Sequence, residues 1–348
     1  MSAIHVEITH GITQLKGRMP RNVAFEPVVS STYFLEDGDE ALIFDPSFGK
    51  DISESVIEHV ENKHANGVKW KRAFLVAGHS HYDHANNFHL ANVLGAEETH
   101  IYLHEAGFRN GTVKNGRGEI VGLVAQAKAY YDPAKTLSFP NNLFMSMAVR
   151  RASHATAKAL KNGKQESVVP EKLKQNDLQT IVVGDSEIHG WRIGKWIIFP
   201  TPGHSPCSVT LFWPEKKALF VSDATWIGNP VFVDGSLHEL RDSLEKLKSL
   251  TTAGLVDLLL PGHGQITEGT HQIVNHLDFQ ILKLDVIKDE VLTAYHGCGE
   301  EKDIIKFTRY LCEESMLFRL LGTSNFPKMV IFAHTIVVQC LKEKGILD

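Results

Sequence analysis

The segment His79-Ser80-His81-Tyr82-Asp83-His84 puts three imidazoles and a carboxylate within six residues. Borderline divalent cations prefer such donors, and a set without cysteine suits a catalytic centre better than a closed structural one. With 19 histidines among 348 residues, one histidine carries no weight, but three this close with an aspartate between them do. The apolar run Ala73-Phe74-Leu75-Val76-Ala77, bounded by Gly78, precedes them and has the length of a buried strand. In extended backbone, residues two apart point the same way, so His79 and His81 can grip one ion while Asp83 and His84 turn toward a second.

Three later segments end in the same manner. Residues 191–199 read as a strand running out into Pro200-Thr201-Pro202-Gly203-His204-Ser205-Pro206-Cys207-Ser208. Residues 218–221 deliver Ser222-Asp223, and residues 256–260 stop at Pro261-Gly262-His263-Gly264. Each residue alone has an ordinary explanation as a surface or core group. Their shared placement, after an apolar run and beside glycines that allow close backbone approach, is the informative fact. His204, Asp223 and His263 bring the donors to seven, enough for two ions with a bridging carboxylate and open positions for water.

The elements that must position these residues read as an α/β chain. Residues 4–16 form a hairpin with Gly11 near its turn, and 28–35 and 41–44 are strands flanking Glu36-Asp37-Gly38-Asp39. A helix over 52–63 leads to the strand before the histidines, and a short helix to about residue 93 leads to a strand over 100–104. Ser236 and Glu239 make a capping box for a helix whose Leu237, Leu240, Leu244, Leu247 and Leu250 share one face. Strands separated by helices, with hairpins at the start, predict a layered architecture with mixed sheets. A lid-like insertion spans about 109–180, helical over 143–160 and rich in basic residues including Arg150 and Arg151. It reads either as a solvated charged surface or as a cover in which Arg150 and Arg151 meet an anionic substrate. Amphipathic patterns over 273–292, 303–320 and 327–344, stopped by Gly345, make 269–348 a helical C-terminal extension to a catalytic domain of 1–268.

A hydrophobic content of 43% can fill a sizeable core, and a net charge of −5 gives no basic field for nucleic acid. Cys207, Cys298, Cys312 and Cys340 have no paired spacing, which fits a reducing compartment. Neither a leader-like N-terminus nor an apolar run of membrane length is present, so the expectation is a soluble cytoplasmic protein. Its expected partner is a small-molecule acyl substrate, not nucleic acid or membrane, and a homo-oligomer is compatible with the sequence.

HxHxDH followed by a lone His, a lone Asp and a final His resembles the metallo-β-lactamase superfamily, over roughly residues 1–268. The resemblance implies a four-layer αβ/βα sandwich with a binuclear site on one edge. It implies that His79, His81 and His204 bind one metal, that Asp83, His84 and His263 bind the other, and that Asp223 bridges them. Asp45 resembles the family's aspartate that orients a ligand histidine. Aspartate, not cysteine, at 223 departs from the true β-lactamases, and His81 departs from the diiron flavoproteins, where a glutamate stands. The full set is similar to glyoxalase-II-like thioesterases and acyl-homoserine lactonases, although Cys207 stands where their PGHTPGS segment has glycine.

The implied chemistry is hydrolysis of a thioester, with acyl-CoA in view, or of a lactone. The implied cofactors are two divalent ions, zinc first, with iron or manganese as alternatives. Such a pair, roughly 3.5–4 Å apart, lowers the pKa of bound water toward about 7, with Asp83 and Asp223 as the catalytic carboxylates. Phosphodiester cleavage, a low-turnover sensor of small acyl molecules and an iron-dependent oxygen-using variant are the alternatives.

Overall fold

The computed structural model describes residues 4–16, 30–47, 50–80, 84–85, 87–111, 170–225, 235–320 and 329–347. His81, Asp83, Arg150 and Arg151 lie outside that set, as does the helix read over 143–160.

Among the described residues, fourteen strands form two seven-stranded sheets, and strand order follows the chain in both. The first sheet holds β1 (Ile4–Thr9), β2 (Ile12–Lys16), β3 (Ser31–Asp37), β4 (Glu40–Phe44), β5 (Arg72–Val76), β6 (Glu98–His104) and β7 (Glu171–Leu173). The second holds β8 (Gln179–Val183), β9 (Ser186–Ile193), β10 (Trp196–Pro200), β11 (Val209–Trp213), β12 (Ala218–Ser222), β13 (Leu258–Pro261) and β14 (Thr267–Glu268). Hairpins make the outer part of each sheet antiparallel, while β4 through β7 and the pair β12/β13 are parallel. Parallel neighbours need a crossover, which α1 (Lys50–Ala65) supplies before β5 and α2 (Leu237–Thr252) before β13.

Three apolar cores define four layers. Tyr33, Phe44, Val76, Trp196, Trp213 and Phe220 belong to the core between the sheets. On the outer face of the first sheet, Ile52, Val56 and Val60 of α1 meet Ile43, Leu75 and Leu103. On the outer face of the second, the leucines of α2 meet Phe199, Phe212 and Val221. Strands covered on both faces read as continuous apolar runs, and β4, β11 and β12 are buried along their whole length.

Among the described residues, four helices follow β14: α3 (Thr270–Gly297), α4 (Ile304–Glu314), α5 (Met316–Leu320) and α6 (Met329–Glu343). Their buried residues, including Leu277, Leu284, Phe307 and Val337, join the core under α2 and do not form one of their own. The pattern over 303–320, read as one helix, breaks at Ser315, whose hydroxyl accepts from Phe318 N at 3.2 Å and so caps α5. Gly345 ends α6 as expected, with Gly345 N donating to Lys342 O and Ile346 N to Leu341 O, both at 2.9 Å.

Two further readings need correction. Residues 191–199 are not one strand but the parts of β9 and β10 on either side of a two-residue turn, in which Gly194 takes φ +55°. The insertion drawn to residue 180 is too long, because β7 pairs with β6 and β8 already belongs to the second sheet.

Candidate metal centre

Parallel pairing sends the C-terminal ends of β4, β5, β12 and β13 to one edge, and two antiparallel steps through β11 bring the end of β10 there too. Asp45 follows β4, His79 follows β5, and His204 follows β10. Asp223 follows β12 and His263 follows β13. The two sheets are stitched at this edge. Val209 N donates to Gly78 O at 2.7 Å, Ser31 N to Gly262 O at 2.8 Å, and the Tyr33 hydroxyl to Pro261 O at 2.7 Å. Gly78 and Gly262 allow the close approach: a side-chain carbon on Gly78 would come within 2.7 Å of Asp45 Oδ1, and one on Gly262 within 2.7 Å of Asp223 Oδ1.

His79, His84, His204, Asp223 and His263 are all buried and converge on Asp223. Asp223 Oδ2 lies 3.4 Å from His204 Nε2 and 4.0 Å from His79 Nε2. Its Oδ1 lies 3.2 Å from His84 Nε2 and 3.6 Å from His263 Nε2. Two donor groups result, His79 with His204 and Asp223, and His84 with Asp223 and His263, each with its atoms within 4.8 Å of one another. Either group could hold a metal ion, and Asp223 belongs to both.

The far sides of two imidazoles are held. His84 Nδ1 is 3.0 Å from Asp45 Oδ2, while Asp45 Oδ1 accepts from Gly78 N at 2.6 Å. A carboxylate at Nδ1 favours the proton there, so that a cation beside Asp223 would find the Nε2 lone pair free to bind it. His79 Nδ1 sits 3.1 Å from Ser222 Oγ. His84 Nε2 and His263 Nε2 are only 3.0 Å apart beside Asp223 Oδ1. Donor atoms crowded like this in a dry site repel one another unless a proton or cation sits among them, so the chemistry of the set fits a metal. Burial pushes the Asp223 carboxyl up, but His84, His263 and His204 outweigh it and hold the group well below the usual carboxylate range.

Of the seven ligand candidates the structure thus brings five together, with Asp45 behind His84; His81 and Asp83 lie outside the described residues. Ser222 was not foreseen, since a serine before an aspartate has no signature of its own. Cys207 is buried: its sulfur accepts from Ser80 N at 3.3 Å and lies 3.0 Å from Ser205 Oγ, so it is a packed group bridging two loops.

The metallo-β-lactamase superfamily model matches residues 25–263. The chain belongs to that superfamily, and with membership go divalent-metal binding and hydrolysis as the class of chemistry. A metallo-β-lactamase family protein of Thermus thermophilus is similar in structure, with a TM-score of 0.58 at 16% identity over 97% of this chain and 95% of that one. The metallo-β-lactamase DIM-1 gives a TM-score of 0.49 at 15% identity over 82% of this chain and 98% of that one. The Thermus likeness is one of fold and extends over the C-terminal helices. No curated protein matches the sequence.

Proposed function

We propose that the chain is a binuclear metallohydrolase that cleaves an ester-like bond, a thioester such as an acyl-CoA or a lactone. The observation that carries this reading is the division of Asp223, with Oδ2 toward His79 and His204 and Oδ1 toward His84 and His263. In it His79 and His204, with His81, would hold one ion; His84 and His263, with Asp83, would hold the other; and Asp223 would be shared between them. Two divalent ions, zinc or else iron or manganese, would when bound make water more acidic at neutral pH and polarise the carbonyl.

The remaining roles belong to the chain. Asp45 keeps the His84 proton on Nδ1, and Ser222 does the corresponding work at His79. Asp223, kept ionised among imidazoles, and Asp83 orient the attacking water. Arg150 and Arg151 neutralise a phosphate-bearing leaving group, so their replacement by alanine raises KM for acyl-CoA thioesters. The partner in this reading is a small acyl substrate; the charge of −5 supports that over nucleic acid. No helix among the described residues is long and apolar enough to cross a membrane. The four cysteines are not joined in disulfides, which supports a reducing, cytoplasmic setting.

The test is a panel of acyl-CoA thioesters, N-acyl lactones and bis-p-nitrophenyl phosphate on protein of measured metal content. Turnover of a thioester or lactone that tracks metal loading is the expected result. Faster cleavage of the phosphodiester, or no turnover by fully loaded protein, would overturn the ester assignment.

A further inference from the structure

We propose that Glu343, in the last turn of the C-terminal helix α6, is a positioning residue for the His204 loop and acts through the N-terminus of α2. The proposal rests on the metal-centre reading above.

One face of α2 holds the loop. Ser236 N donates to Gly203 O at 2.9 Å, Ser243 Oγ to Pro202 O at 2.7 Å, and Lys246 Nζ reaches Pro200 O at 3.5 Å. Gly235 packs on the carbonyls of Gly203 and His204 with no room for a side chain, and Gly203 packs on the backbone of Leu240. Residues 236, 240, 243 and 246 lie along one side of a helix, so the loop goes where α2 goes.

The start of α2 is completed from 105 residues away. Ser236 Oγ caps Glu239 N at 3.3 Å in the ordinary way. The preceding amide, His238 N, donates instead to Glu343 Oε1 at 2.7 Å, and the Ser236 hydroxyl donates to the same oxygen at 3.4 Å. Lys288 Nζ of α3 binds Glu343 Oε2 at 2.8 Å. A carboxylate in the last turn of its own helix opposes that helix's dipole. Glu343 therefore costs α6 something locally and serves the positive end of α2, and with it the segment bearing His204. The C-terminal helices thereby reach the metal centre without contributing a donor to it.

Full-length metal-free protein titrated with cobalt(II) tests this, with Asp285→Ala as the control. That change removes the carboxylate that Arg241 Nε binds at 3.1 Å, a tie in the second turn of α2 that involves neither Glu343 nor the amide of His238. Glu343→Ala is expected to weaken cobalt binding about tenfold, alter the visible spectrum of the cobalt protein, and speed hydrogen exchange over residues 201–208 in the metal-free state. Glu343→Gln keeps an acceptor for His238 N and is expected to fall between, which keeps the test open should the alanine variant fold poorly. Asp285→Ala is expected to lower the melting temperature and leave cobalt affinity and spectrum alone. Unchanged affinity, spectrum and exchange in both Glu343 variants, or the same changes in Asp285→Ala, would refute the coupling. A parent protein that takes up no cobalt sinks the metal reading and the coupling with it; a parent that does, beside unchanged variants, sinks the coupling alone.

Discussion

Asp223 faces imidazoles on both of its oxygens, and few substitutions should be as informative. Asp223→Ala is expected to lower metal content per chain and turnover together; full occupancy with full activity, measured on one preparation, would remove its bridging role. Asp45 accepts from a ring nitrogen on one oxygen and a backbone amide on the other. Asp45→Asn turns one acceptor into a donor facing a donor, so metal affinity should fall about 10–100-fold, read by competition with a chromophoric chelator. These residues were legible in the sequence because few side chains bind metals and all of them end apolar runs. Ser222 and Glu343 were not, since a hydroxyl or surface carboxylate gains meaning only from what folding sets beside it.

Among the elements, the loop after β10 is tied to the loop after β5 by the Cys207 sulfur and to α2 by Ser236 and Ser243. Cys207→Gly leaves the Ser80 amide without its sulfur acceptor and opens a hole, and should cost about 1–3 kcal/mol in urea denaturation. Cys207→Ser should recover most of that loss, and equal losses would contradict a hydrogen-bonding role. Lys246 lies over the Phe199 ring at 4.5 Å, and burial lowers its pKa to about 8. Between about pH 8 and its ordinary value of 10.5, the unfolded chain binds more protons, so this group makes the fold more stable as pH rises through that window and carries its full penalty below it. Lys246→Met should therefore stabilise the fold at pH 7 by about 1–2 kcal/mol after loss of the ring contact and of the contact with Pro200 O, read as a higher melting temperature, and the gain should vanish near pH 10.5. Element boundaries were legible where capping or turn chemistry is explicit, as at Ser236 and Gly345. The turn at Gly194-Lys195 escaped because Trp191 and Ile193 before it and Trp196 to Phe199 after it read as one apolar run, and β7 escaped because three residues show no period.

For the whole molecule, each donor group takes one histidine from the first sheet's loops and the rest from the second's, so a bound cation joins the two halves. Chelation should lower the melting temperature, through a loss of stability that grows with metal affinity and is about 4 kcal/mol if the ion had been at a thousandfold its Kd. An unchanged thermal transition in excess chelator would contradict such a linkage. Trp213 is fully buried in the core between the sheets, and Trp213→Ala should cost about 3–5 kcal/mol. The layers were legible because covered strands leave unbroken apolar runs; that the extension shares the α2 core was not, since amphipathicity tells that a face is buried but not against what. Among the described residues the backbone passes between the sheets once, over residues 174–178 between β7 and β8, and each sheet has its outer helices from its own side of that passage. Cleavage there would sever a single connection, and the two fragments, expressed apart and mixed, should reconstitute a particle whose cohesion rises on addition of zinc.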